Sequence, residues 1–478
     1  MNAPIEQLEK QQALILPENL GDSGFCQELG IRYPYLGGSM AKGISSVAMA
    51  HELGKAGMLG FFGAAGLSLS EVEAAIEQLS QTGVPFGCNL IHSPHEPDLE
   101  AALAELYIQK GVQLVEASAF LALTLPLVRY RLHGIHRAAD GSIVTPNRIV
   151  AKVSREELAE RFFSPPPDKL LNSLLQQGQI TQEQAELARQ IPMAQNITAE
   201  ADSGGHTDNR PALPLFPTIL SVAGRMQQQH GYTMPLRVGL GGGIGTPAAA
   251  AAAFAMGAAW IMVGSVHQAC VESGTSDVVR KMLAETRQAD VIMAPAADMF
   301  EMGVTVQVLK RGTMFAMRAA KLYELYRSFG SLDELPVSDR EKLEKTVFLS
   351  PLETIWQQTR SFFQQRDPRQ VERADRDPKH RMALVFRWYL GQAAHWAKDG
   401  APNRTIDYQV WCGPAMGAFN EWVKGSFLED PSRRRVAIVA HTILQGAADI
   451  SSANMLRFQG IRTSGSLLIQ PEIKEYLA

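Results

Sequence analysis

Residues 237–265 read RVGLGGGIGTPAAAAAAFAMGAAWIMVGS. An apolar strand runs into three consecutive glycines. Thr246 stands where a helix is capped, and Pro247 suits a first helical position. A second apolar run, Ala259–Gly264, follows and again ends in glycine before Ser265. Glycines let a ligand approach the backbone, and a helix N-terminus attracts anions. In (β/α)8 barrels the loops after strands seven and eight often hold a phosphate. Gly242, Gly243, Gly264 and Ser265 are therefore candidate phosphate-holding residues, against the alternative of tight turn packing alone. The uncharged stretch 247–266 is about long enough to span a bilayer. Its Ala- and Gly-rich composition, with Pro247 at the front, reads instead as a helix followed by a buried strand.

Similar apolar runs recur towards the start of the chain. They are Tyr33–Gly37, Met58–Phe62, Pro85–Leu90, Val112–Ala117, Arg148–Val153, Ile197–Ala201 and Leu236–Leu240, with Ala259–Gly264 the last, and helical patterns separate them. Uniformly apolar strands alternating with helices form parallel sheets covered on both faces. Eight such units predict an α/β fold, a (β/α)8 TIM barrel with an inserted helical hairpin and a helical C-terminal region.

The expected division is an N-terminal segment over 1–32, a barrel over 33–270 and a mainly helical region over 271–478. A helical insertion interrupts the barrel at about 156–193. After Pro165-Pro166-Pro167, Asp168 is expected to cap a helix with Leu170, Leu171, Leu174 and Leu175 on one face. Thr181 and Gln184 spell a capping box for a second helix. This hairpin is either a packing ornament or a lid or partner-docking surface. Beyond residue 271, stretches 277–290 and 313–329 read as helical and 294–312 as irregular. Residues 351–423 read as Trp-rich helices interrupted by a solvated loop, Arg366–Arg381. The region is expected to cover the barrel mouth and offers surfaces for docking a partner or forming a homodimer.

Composition narrows the function. The 478 residues carry 49 acids and 45 bases, a net charge of −4, which excludes nucleic-acid binding by bulk basicity. With 46% hydrophobic and 20% charged residues the chain folds around a large core. Cys26, Cys88, Cys270 and Cys412 are far apart, with no C-x-x-C pair, so neither a metal site nor a disulfide scaffold is expected. A reducing cytoplasm is the expected compartment. Met1–Gln12 is polar and lacks the apolar core of a signal peptide.

The chemistry-bearing residues fall at strand ends, where barrel catalysts gather. Glu200-Ala-Asp-Ser-Gly-Gly-His206 follows the sixth strand, and its imidazole suits proton transfer, so His206 is the catalytic candidate. Glu200 and Asp202 are expected to play supporting roles. After the first strand, Gly38, Ser39, Met40 and Ala41 offer backbone amides and small side chains to a planar ring. Asn89 ends the third strand and suits hydrogen bonding to a ring. Lys152 ends the fifth strand and needs an anion, which Glu116 at the end of the fourth strand can supply. Lys310, Arg311 and Arg318 follow the barrel and are candidates for cofactor or substrate phosphates, or for a solvated basic face.

GGSMAKGIS (37–45), CNL (88–90), IVAKVS (149–154), EADSGGHTDNRP (200–211) and VGLGGGIGTP (238–247) together resemble the nitronate monooxygenase-like flavoproteins. More narrowly, with PAADMFEMGVTVQVLKRGTMFAMRAAKLYELY (295–326) and DYQVWCGPAMGAFNEWVKGS (407–426), they resemble the trans-acting enoyl reductases of polyketide and polyunsaturated fatty acid synthases, the PfaD family. That likeness covers roughly residues 30–460. It implies that the barrel binds FMN. Gly38, Ser39, Met40 and Ala41 would flank its ring, Asn89 and Lys152 would bond its polar edge, and Gly242, Gly243, Gly264 and Ser265 would hold its phosphate. His206 matches the family's active-site histidine.

The implied reaction takes hydride from NADPH or NADH through FMN to the β-carbon of an enoyl group tethered to an acyl carrier protein. His206 or water then protonates the α-carbon. Three rivals remain: a nitronate-oxidising flavin enzyme, a non-catalytic scaffold of a synthase complex, and a nucleotide barrel of the inosine-monophosphate dehydrogenase type. The last needs a nucleophilic Cys after the sixth strand, where this chain has His206.

Overall fold

The apolar runs form eight short parallel strands: β1 (Tyr35–Gly37), β2 (Leu59–Phe62), β3 (Phe86–Ile91), β4 (Leu114–Ser118), β5 (Arg148–Val153), β6 (Asn196–Glu200), β7 (Arg237–Gly241) and β8 (Ile261–Val263). Each pairs with the next, and β8 pairs with β1 to close the barrel. The computed structural model describes residues 15–92, 94, 96–461 and 471.

Local chemistry sets the helix starts. Ser68 and Glu71 form a reciprocal capping box before helix Leu69–Ser80, and Thr246 accepts a bond from the Ala249 amide before helix Pro247–Ala255. The 247–266 stretch is thus helix and buried strand.

The end of the barrel where the strands begin is sealed by helix Ser23–Leu29. Its Phe25 stacks on Trp260 with ring centroids 4.2 Å apart. Trp260 is fully buried, and its indole N–H donates to Thr198 Oγ1 at 3.1 Å. Gly239 on β7 leaves room for that ring, since a Cβ there would lie 2.2 Å from Trp260 Cε2. Gly239→Ala is therefore expected to cost about 3 kcal/mol, the upper range for overpacking. A lowered urea midpoint measures it.

The insertion after β5 is shorter than the sequence predicted. Helix Glu156–Phe163 buries Leu158, Ala159, Phe162 and Phe163 and packs on helix Ala212–His230, so it is the ordinary barrel helix of that unit. The added hairpin is Asp168–Gln176 and Gln182–Ala188. Thr181 and Gln184 make the expected capping box. Asp168 does not cap: Pro167 holds that position, and the Asp168 carboxylate pairs with Arg189 at 2.9 Å. The hairpin rests on helix Leu125–Leu132 and on the ribbon His136–Val144, which leads into the start of β5. It contributes no residue to the cavities at the opposite end, so it is packing rather than a lid over them.

Two stretches after β8 also differ from expectation. Residues 294–312 are not irregular. β9 (Val291–Pro295) and β10 (Thr305–Leu309) pair antiparallel, and Gly205–His206 adds a third edge to this sheet. Arg366–Arg381 is not a solvated loop. Asp377 caps helix Pro378–Asp399, and before it helix Pro368–Ala374 buries Val371 and Ala374. The charges that suggested a loop reach back to the barrel, Arg366 to Glu96 and Arg369 to Asp98 at 2.7 Å.

A second apolar core forms within the helical region, around Phe300, Phe315, Leu322, Trp356, Phe386 and Tyr389. The last described helix, Val436–Phe458, leaves that region and packs against helices Pro247–Ala255 and Val47–Lys55. It fills the place of the eighth barrel helix, so the chain departs after β8 and returns to complete the ring. Among the described residues it is the one helix long and apolar enough to cross a membrane, and here its apolar face is turned onto the barrel. All four cysteines are free and buried.

Candidate active site

Two cavities meet where the strands end. The larger, about 600 Å³, lies between the barrel mouth and the helical region. Its walls include Leu99, Leu103, Phe120, Leu121 and Leu158 from the barrel side and Leu390, Gly391 and Ala394 from helix Pro378–Asp399. The smaller, about 80 Å³, lies over the ends of β7 and β8. Ser39, Met40, Lys152, Glu200, Gly204 and Trp411 border both.

The residues that the sequence offered for catalysis and for holding a flavin all line one cavity or the other. Gly38, Gly242, Gly243, Gly264 and Ser265 border the smaller, Ala41, Asn89 and His206 the larger, and Ser39, Met40 and Lys152 both.

Lys152 lies between two carboxylates, 3.3 Å from Glu116 Oε1 and 3.2 Å from Glu200 Oε1. Burial works to lower its pKa, but the two carboxylates outweigh it and hold it above the ordinary lysine value. Glu116 is fully buried and also accepts from the Ser39 amide at 3.0 Å and the Ser39 hydroxyl at 2.6 Å. One cation and two anions are thus set by the ends of β4, β5 and β6 and tied to the loop after β1.

Three of the four amides that the sequence suggested in that loop are already committed. Gly38 N donates to Val263 O, Ser39 N to Glu116, and Met40 N to Ser45 Oγ. What the loop presents to the cavities is its surface and the Met40 side chain. Asn89 is likewise half committed: Nδ2 donates to Ser118 Oγ at 2.8 Å and to Glu116 O at 3.2 Å, leaving Oδ1 to accept.

The glycine run makes a cradle. Gly242 and Gly243 adopt φ +87 and +74, a left-handed backbone that favours glycine. A Cβ on Gly242 would lie 2.6 Å from the Ala201 carbonyl, whereas a Cβ on Gly243 or Gly264 would meet nothing within 4 Å. The open space above Gly243 and Gly264, beside Ser265, fits the phosphate end of a flavin mononucleotide. The adjoining surface of Ser39, Met40 and Lys152 fits its ring.

His206 is reached by a path the sequence did not reveal. Beyond Glu200 the chain leaves the barrel and pairs with β10, His206 opposite Val306. Asp202 accepts from Gln307 Nε2 at 2.6 Å and holds the loop to that sheet. Gly204 lies against the Cys412 backbone, where a Cβ would come within 2.9 Å. His206 Nε2 is 3.1 Å from Asp298 Oδ1, in the segment joining β9 to β10. Burial and Lys152 act to lower the imidazole pKa, but Asp298, by charge and hydrogen bond, and Glu200 raise it above its ordinary value. Burial acts to raise the Asp298 pKa, and His206 overcomes it to hold the carboxyl low. Sequence reasoning did not single out Asp298 or Trp411, because nothing local to either marks it as facing His206 or the cavity junction.

Lys310, Arg311 and Arg318 do not border either cavity. Arg311 donates to Glu285 O at 2.7 Å, and Arg318 pairs with the buried Asp407 inside the helical region.

The sequence profile of the nitronate monooxygenase family matches residues 25–326. One described as the inserted helical domain of acyl-carrier-protein S-malonyltransferase matches residues 329–408. The chain is 48% identical over 459 residues to a polyunsaturated fatty acid synthase subunit of Thraustochytrium sp., covering 94% of this chain and 31% of that protein. It is 44% identical over 451 residues to polyketide biosynthesis protein PksE of Bacillus subtilis, covering 94% of this chain and 58% of that protein. It therefore spans less than two thirds of the length of these curated relatives. Among solved structures, the enoyl reductase domain of MlnA from the macrolactin cluster of Bacillus amyloliquefaciens is 39% identical with a TM-score of 0.86, covering 92% of this chain and 99% of that one.

Proposed function

The chain belongs to the nitronate monooxygenase family, and from that premise we propose that it is a cytoplasmic FMN-dependent enoyl reductase. Its substrate is an α,β-unsaturated acyl thioester on an acyl carrier protein, met in trans in polyketide or polyunsaturated fatty acid synthesis. The observation that carries this reading is the meeting of two unlike cavities across Lys152, Glu200 and Trp411. One is a glycine-lined cradle of cofactor-phosphate character, the other a larger, mainly apolar cavity suited to an acyl chain. The likeness to an enoyl reductase domain and to synthase subunits points the same way.

When bound, a flavin mononucleotide supplies a two-electron store that accepts hydride from NADPH or NADH and yields it to a carbon–carbon double bond. The protein's own groups do the rest. Gly242, Gly243, Gly264 and Ser265 would hold the flavin's phosphate, Asn89 Oδ1 would be free to accept from the flavin, and Lys152 would supply a positive charge to the same site. The apolar walls hold the acyl chain and exclude water. His206, with Nε2–H donated to Asp298, keeps Nδ1 as the atom that delivers a proton to the α-carbon. Hydride at the β-carbon and this proton at the α-carbon together saturate the bond.

The first test is the absorption spectrum of the purified protein and identification of the cofactor it releases. Stoichiometric FMN, followed by NADPH- or NADH-dependent reduction of an enoyl thioester, supports the reading. Colourless protein that takes up no FMN overturns it. Oxygen consumption with nitroalkanes and no enoyl reduction would make it a nitronate oxidase, the activity for which the family is named.

Asp298→Asn tests the proton donor. Activity that needs protonated His206 falls as pH rises through its pKa, and the Asp298 charge holds that pKa up. The falling limb of the kcat/KM profile should therefore move to lower pH in the variant, with flavin content unchanged. An unmoved limb would remove Asp298 from this role.

A further inference from the structure

The cations that the sequence offered for a ligand's phosphate lie elsewhere, but the large cavity has one of its own. Lys42, on the loop after β1, lines it two residues from Met40. Among the described residues it makes no ion pair, and its ammonium donates to the carbonyl of Gly391 at 3.0 Å. Gly391 exposes bare backbone at the same wall, since a Cβ there would meet nothing within 4 Å. Space is thus open beside the ammonium. Arg366, from helix Leu352–Arg366, lines the same cavity and is already tied to Glu96. Burial and the charges of Lys398 and Arg366 push the Lys42 pKa down to about 8, which Asp399 offsets only in part. A half-buried cation that faces a ligand cavity and is paired with no carboxylate is a place for an anion. Lys42 also holds φ +59, a costly conformation for a side chain larger than glycine's.

We propose that Lys42, backed by Arg366, binds a phosphate group of the ligand that enters the large cavity. Two ligands of the proposed reaction carry one: the phosphopantetheine arm of a carrier protein and the nicotinamide nucleotide. The inference rests on the enoyl reductase reading for these ligands, but its test reads binding rather than turnover. Dissociation constants are measured on the protein with its cofactor bound, for 4′-phosphopantetheine against pantetheine and for nicotinamide mononucleotide against nicotinamide riboside.

At least one phosphorylated compound should bind about tenfold more tightly than its phosphate-free partner. Lys42→Gln, which can still donate to Gly391, should abolish the difference, and Lys42→Arg should keep it. The pair that responds identifies the source of the phosphate. Equal affinities within both pairs in the wild-type protein, or a preference that survives in Lys42→Gln, would overturn the proposal and leave Lys42 as a latch between barrel and helix. The wild-type comparison stands even if the variants fail to fold. Intact phosphate preference without enoyl reduction would overturn the function and not this site.

Discussion

Replacing His206 by alanine should slow enoyl reduction by about 100- to 10,000-fold, the usual worth of a positioned general acid. Flavin content and the rate of flavin reduction by NADPH or NADH should stay at wild-type levels. The separation follows from geometry. His206 borders the large cavity and not the glycine cradle, so its loss leaves the phosphate-holding residues intact. Its backbone stays in place because Gly205 and His206 pair with β10 and Asp202 holds Gln307. Anaerobic flavin reduction by the nicotinamide, followed by reoxidation with an enoyl thioester, reads the two halves separately. Unchanged reoxidation would assign the α-carbon proton to water.

Lys152→Met should have the largest effect on stability. The substitution leaves Glu116, fully buried, and Glu200 facing each other without their shared cation. Breaking a buried ion pair from one side costs about 3–5 kcal/mol, because the remaining charge has neither water nor partner. The Ser39 amide and hydroxyl still serve Glu116, which favours the lower end of that range. Adding Glu116→Gln and Glu200→Gln to Lys152→Met should recover much of the stability. Urea midpoints across the series measure this. A Lys152→Met protein as stable as wild type would show that the three charges are not coupled through the fold.

The barrel was readable because its signals are local. Apolar runs such as Val150–Ala151 or Ile261–Val263 are buried on both faces, so every position is apolar, and a glycine run before Thr246-Pro247 announces a turn into a helix. The residues that line the two cavities were legible for the same reason, since most of them stand at or just beyond the end of a recognisable strand. The capping box at Thr181 and Gln184 was equally local and formed as read.

The failures share one cause. Arg366, Arg369 and Asp377 looked solvated because their partners Glu96 and Asp98 lie some 270 residues away and because Asp377 caps the next helix. Stretch 294–312 becomes a sheet whose third edge comes from Gly205–His206. The pairing of His206 with Asp298, the junction made by Trp411 and the salt bridge that removes Arg318 from the mouth all join segments that lie about 90 to 370 residues apart. The helix Val436–Phe458 reads as part of a C-terminal region until its contacts with Pro247–Ala255 and Val47–Lys55 make it the eighth barrel helix. Sequence alone determined the eight barrel strands and which side chains stand at or just beyond their ends, because burial and backbone geometry act over a few residues. Tertiary structure alone decided which charges are neutralised, which histidine nitrogen is held and which lysine faces the cavity, because those outcomes depend on groups that meet only when distant segments fold together.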